Sequence, residues 1–219
     1  MSARDEVLAA VRRAAVPAVE LPELPAVWPG ARTRRAERDA GQLSLALPQD
    51  AGSAELVRWF VESLRLVGGS AVQLVGREVL AVAAAAQTAT LAEPGRGIVS
   101  SVPGLAISTL VIGPDASRAR LDEIELAFIP ARFGVAENAA VWVDEADLPH
   151  RALPFMAQHL VIVLPKQEIV ADMHAAYRRL PLAMPGYGVF ISGPSKTADI
   201  EQALVIGAQG PKSLVVFLV

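Results

Sequence analysis

The chain has 219 residues, 53% of them hydrophobic and 20% charged, with a formal net charge of −3 and no cysteine. The missing cysteine excludes a disulfide framework, a Cys-ligated zinc or iron–sulfur cluster and a thiol nucleophile on this chain, and 20 basic against 23 acidic residues leave no global field to recruit nucleic acid. Mean hydropathy is positive, at +0.38, but 39 alanines inflate it and the most apolar run, Val79 to Ala86, is eight residues, against the ~20 that span a bilayer. Residues 2–14 lack the long apolar core of a secretory signal, so a cytoplasmic protein without a membrane span is expected.

Ser2, Asp5, Val7, Leu8 and Val11 predict a capped amphipathic helix ending near Ala15. Pro17, Pro22, Pro25 and Pro29 then exclude helix or central strand. Residues 1–49 are therefore read as a helix plus a Pro-rich extended arm, and 50–219 as the folded domain. The arm holds Arg32, Arg34, Arg35 and Arg38, a docking patch or, with Glu37 and Asp39 beside them, a solvated segment.

From Ser53, a plausible N-cap, Leu56, Val57, Phe60, Val61 and Leu64 keep helical spacing until Gly68-Gly69. Ala71–Val75 suits a buried strand, and an alanine-rich segment runs to about Ala92. Further apolar runs lie at Gly97–Val102, Ala106–Ile112, Ile124–Ile129, Val135–Val143, Leu160–Leu164, Val189–Ile191 and Leu214–Val219. Helical material separates several of them, most clearly Ile169–Leu180, where Val170, His174 and Tyr177 are spaced by three or four. Strands buried on both faces and alternating with helices predict an α/β sandwich with a mostly parallel sheet. The closing run is expected to be a central strand.

No generic dinucleotide, P-loop, zincin or nucleophile-elbow motif is present. His150, His159 and His174 lack metal-ligand spacing, and His159, entering an apolar strand, reads as a structural histidine. Two segments carry candidate chemistry. In the first, Ser192-Gly193-Pro194-Ser195-Lys196-Thr197-Ala198-Asp199 follows the strand ending at Ile191 and is expected to open a short helix that stops at Gly207. Gly193, Pro194, Ser195, Lys196, Thr197 and Asp199 are candidate ligand residues, because free N–H groups converge where a strand feeds a helix. They serve equally well as a plain cap. In the second, Glu137 and Asn138 interrupt an apolar strand pair. A carboxylate there is either held for a purpose, with Glu137 as catalytic candidate and Asn138 beside a ligand, or marks the hairpin between two strands.

Together these segments resemble the LUD-domain family, of the lactate-utilisation protein C type. The resemblance rests on Gly193-Pro194-Ser195-Lys196-Thr197-Ala198-Asp199-Ile200-Glu201 with Gly207 and Gly210-Pro211. It rests also on Val135-Ala136-Glu137, on Pro154 to His159 and on Ile169-Val170. It runs over about residues 50–219. Where members commonly carry Glu-Thr-Gly, this chain has Glu137-Asn138-Ala139. The resemblance implies a three-layer α/β/α sandwich, related to sugar-phosphate isomerase and CoA-transferase-like folds. It implies a non-redox subunit of a multi-protein system oxidising L-lactate to pyruvate, acting in substrate binding or scaffolding. Iron–sulfur partner proteins would hold the clusters, and this chain would hold no cofactor and no metal. A small carboxylate or phosphate ligand and a homo-oligomer are compatible with it. The alternative is a stand-alone isomerase or CoA-transferase-like enzyme, with Glu137 as base or nucleophile and the Ser195–Thr197 loop holding an anionic substrate.

Overall fold

The structure, a computed structural model, describes residues 52–180, 186–197 and 205–219. The expected N-terminal helix, the Pro-rich arm with its arginines, and Asp199 lie outside the described residues.

Helix α1 (Ser53–Leu66) forms on the predicted stripe and buries Val57, Phe60 and Leu64. Its cap is Gly52, in extended backbone, and Ser53 is the first helical residue rather than the cap. Gly68, at φ 81, turns the chain out of the helix as its sequence promised. Strand β1 (Ser70–Gln73) is mostly exposed at a sheet edge instead of buried. A four-residue apolar run fixes a strand's existence but not its rank in the sheet. The alanine-rich segment becomes helix α2 (Leu80–Leu91), burying Leu80 and Ala84.

After strand β2 (Gly97–Ser100), the expected strand at Ala106–Ile112 does not form. Side chains take the place of a ladder. Thr109 Oγ1 accepts from the Ile98 amide and Ser108 Oγ from the Ser100 amide, while the Thr109 and Leu110 amides both donate to the Ile98 carbonyl. Short hydroxyl side chains compete with backbone partners in this way, and the irregular segment covers the outer edge of β2.

Helix α3 (Arg118–Leu121) leads into β3 (Ile124–Pro130), β4 (Phe133–Val135) and β5 (Val141–Asp144). Helix α4 (Leu153–Met156) leads into β6 (His159–Leu164). The predicted helix at Ile169–Leu180 divides into strand β7 (Ile169–Val170) and helix α5 (Met173–Arg179). Asp172 makes the break, because its side chain accepts the Ala175 amide as an N-cap. His174 and Tyr177 are exposed, and the residue α5 buries is Ala176. Strands β8 (Gly188–Ile191), β9 (Lys196–Thr197), β10 (Val205–Ile206) and β11 (Ser213–Leu218) complete the chain.

Five strands pair in the order β1-β11-β6-β3-β2, parallel throughout, with β11 inside the sheet as expected. Alternation sorts the two faces. Leu160, Ile162, Leu164, Leu214, Val216 and Leu218 join Phe60 and Leu64 of α1. Val161, Val163, Val215, Phe217 and Phe128 join Leu80 and Ala84 of α2. A second sheet, ordered β7-β4-β5-β8, completes the layer beside α1. Its β4–β5 and β5–β8 pairs are antiparallel, and β4–β7 is parallel. Phe133, Val135 and Val170 form a third cluster with Ala176 of α5. Gly134 permits this layering, since a Cβ there would lie 2.7 Å from Leu164 and 3.1 Å from Phe60. The α/β sandwich with a mostly parallel main sheet is therefore the fold, with one layer built from a helix and a small mixed sheet. Among the described residues no helix is long and apolar enough to cross a membrane.

Candidate functional site

The first candidate segment is a turn of the small sheet, and the second follows that sheet's strand β8 into a separate strand pair, β9 with β10. Glu137 and Asn138 occupy the turn between β4 and β5, which is the hairpin alternative read from the sequence. Asn138 Oδ1 accepts the Ala140 amide at 3.0 Å, a side-chain turn that fixes the reversal. Ala139 sits at φ 55, the left-handed region that glycine adopts at less cost. The Ala136 and Glu137 amides donate to the Val170 and Ala171 carbonyls, extending the β4–β7 ladder into the turn. Ser63 of α1, buried, donates its hydroxyl to the Ala136 carbonyl at 2.9 Å.

The Glu137 carboxylate, partly buried, turns toward α5. Its Oε2 accepts the Met173 amide at 3.1 Å, beside the Asp172 cap. Two carboxylates thus answer the unpaired amides of one short helix. This engagement is what a structural carboxylate makes, and it ties the β4–β5 turn to α5.

The second segment meets the first. Ser192 Oγ donates to the Asn138 carbonyl at 2.7 Å. Gly193 follows at φ 75, where a Cβ would lie 2.5 Å from the Val67 carbonyl oxygen at the end of α1. Lys196 Nζ donates to that same carbonyl. The expected stop of the helix at Gly207 is corrected here, and its first turn, with Asp199, lies outside the described residues. Lys196–Thr197 is a strand paired antiparallel with Val205–Ile206, so a helix does not run to Gly207. Ser195 donates its amide to the Pro211 carbonyl and receives the Gly207 amide on its own carbonyl. The Ser195 amide is therefore spent on the Pro211 carbonyl rather than turned toward a ligand. The strand that feeds this loop, β8, belongs to the small sheet, and the rule placing ligands beyond carboxyl ends describes the parallel one.

A cleft of about 190 Å³ lies under Gly193, Pro194 and Ser195, floored by Phe155, Leu160 and Pro211. Lys196 and Thr197 do not line it. Ser63, the Met173 amide and the Val67 carbonyl were absent from the sequence-level candidates. Ser63 had a signal, a hydroxyl on the apolar stripe between Phe60 and Leu64. The two backbone groups had none. His159 is hydrogen-bonded as expected, with Nδ1 2.7 Å from Ser213 Oγ.

Residues 114–219 match the model of the LUD domain. Over that stretch, just under half of its length, the chain is similar to the LUD-domain family. "Lactate utilization protein C" of Shouchella clausii is 30% identical over 103 residues, covering 43% of this chain and 45% of that protein. "Uncharacterized protein YkgG" of Escherichia coli is 29% identical over 104 residues, 45% of each. These matches thus span less than half the length of the curated relatives. The crystal structure of a DUF162 family protein from Deinococcus radiodurans superposes with a TM-score of 0.52. It is 19% identical and covers 77% of this chain and 98% of its own, a likeness of fold.

Proposed function

We propose that this chain serves in lactate utilisation, as a non-redox member of a multi-protein system that oxidises L-lactate to pyruvate beside iron–sulfur partners. Its contribution is scaffolding. The observation that supports the lactate role is kinship, since the similar proteins include several named lactate utilization protein C. The observation that favours scaffolding over chemistry is where the reactive groups are spent. Glu137 holds α5, Lys196 holds the end of α1 and Asn138 holds its own turn. Lactate oxidation releases two electrons, and a chain without cysteine offers no thiolate to ligate a cluster that would take them.

A second reading, binding of a small carboxylate, draws on the cleft of about 190 Å³ beside Ser195. That volume is below the ~300 Å³ at which drug-sized sites begin, and it suits a molecule of a few heavy atoms.

The test is deletion of the gene in its own organism. Growth on L-lactate as sole carbon source should be lost while growth on glucose persists, and unaffected growth on L-lactate overturns the role. The purified chain alone should reduce no dye when given L-lactate. Steady lactate-dependent reduction without added protein contradicts the non-redox assignment.

A further inference from the structure

The amino-terminal ends of three parallel strands carry a polar cluster that neither candidate segment includes. His159 opens β6, Ser213 opens β11 beside it in register, and Glu125 is the second residue of β3. Glu125 is only 4% exposed. Arg96, just ahead of β2, donates Nε to Glu125 Oε2 at 3.1 Å and Nη2 to the Asp122 carbonyl at 3.0 Å. The imidazole lies between the two partners, with Nδ1 2.7 Å from Ser213 Oγ and Nε2 3.8 Å from Glu125 Oε1. A carboxylate beside Nε2 favours the neutral tautomer with its hydrogen there, which leaves Nδ1 to accept the Ser213 hydroxyl.

The segment next to this cluster is the one that seats the candidate loop. The Lys212 amide donates to the Gln158 carbonyl at 2.7 Å, and the Pro211 carbonyl accepts the Ser195 amide at 2.9 Å. We propose that His159 is a proton-operated clasp. Neutral, it joins β3, β6 and β11 and keeps 211–213 in place under Ser195; protonated, it loosens that seat and shifts the 193–195 loop.

The physics has three parts. Protonation turns Nδ1 into a donor, so the Ser213 hydroxyl must turn from donating to accepting and its hydrogen must find another acceptor. The new charge sits in a partly buried site, where water is scarce. Glu125 and Glu93 favour that charge, while Lys212 opposes it from the residue next to Pro211. Burial outweighs the acids and holds the imidazole below its ordinary range. A histidine that binds its proton less readily folded than unfolded gives its full stabilisation above the ordinary value of about 6.5. That stabilisation falls as pH drops through this value toward the lowered one.

This inference stands apart from the lactate reading, because it is read without ligand or partner. The experiment is an NMR pH titration of the full chain, following the three histidine rings and the Ser195 and Ser213 amides. The His159 midpoint should fall below about 6.5, and both amides should shift with that same midpoint. In His159→Gln the amide transition should vanish. In Ser213→Ala the Ser195 amide should stop following the His159 midpoint, because the bond joining β6 to β11 is gone. If His159 titrates at or above the ordinary value, or the Ser195 amide does not follow it, the clasp is overturned. Should His159→Gln fail to fold, coincidence of midpoints in the wild type and its loss at Ser195 in Ser213→Ala decide alone.

Discussion

The five-stranded parallel sheet and the small four-stranded sheet are built on different terms. In the first, β3, β6 and β11 are six or seven residues long and almost wholly buried, each held by neighbours on both sides. In the second, no strand exceeds four residues, and order comes from particular contacts. Those contacts are Ser63 on Ala136, Glu137 on Met173, Ser192 on Asn138 and Lys196 on Val67. Bulk burial makes the scaffold, and single polar bonds position the two candidate segments. Such regions are the ones expected to open at lower cost than the core.

Substitutions should separate the two regimes. The largest effect is expected in the parallel sheet, where Phe128 is fully buried with its ring 6.5 Å from that of Phe217. Phe128→Ala should cost ~3–5 kcal/mol, read as a fall in the urea midpoint of the whole domain. A cost below ~1 kcal/mol would erase the contrast drawn here.

Gly193→Ala comes next. It forces a side chain into left-handed backbone and against the Val67 carbonyl, and should cost ~1–3 kcal/mol. Its amide shift changes should reach α1 and the Asn138 turn, because the loop touches both. Changes confined to 192–195 would mean that the lacing between the segments carries no energy.

Ala139→Gly should have the smallest effect. Relief of the positive φ gains about 1 kcal/mol, and loss of a fully buried methyl costs about 0.8 kcal/mol. Denaturation should place the variant within ~1 kcal/mol of the parent. A much larger loss would show that the methyl, packed in the α1 core, outweighs the backbone.

The contrast also explains what could be read from sequence. Leu160–Leu164 and Leu214–Val219 announced interior strands because uninterrupted apolar runs suit strands buried on both faces. The pair β7 and α5 was taken as one helix, because two strand residues leave no period to detect, and Asp172 marks the break only once its cap is seen. Glu137 and the Ser192–Thr197 loop stand out in the sequence as polar interruptions of apolar runs. Their partners were hidden, since Met173 and Val67 act through backbone atoms that carry no residue signature. The expected helix does not reach Gly207, because the β-branched pair Val205–Ile206 is taken up by the strand opposite Lys196–Thr197.

The central claim is that the β4–β5 turn and the 192–197 loop hold this domain's shape for its partners and do no chemistry on a substrate. It is tested most directly by following the amide signals of Glu137, Asn138, Gly193, Ser195 and Lys196 during titration. L-Lactate, pyruvate, phosphate and CoA would be added in turn, and then the iron–sulfur lactate-utilisation proteins of the same organism. The account predicts no saturable shift with any of the small molecules and clear broadening or shifts with the proteins. Saturable movement of these amides with lactate or pyruvate, reduced in Lys196→Ala, would contradict it.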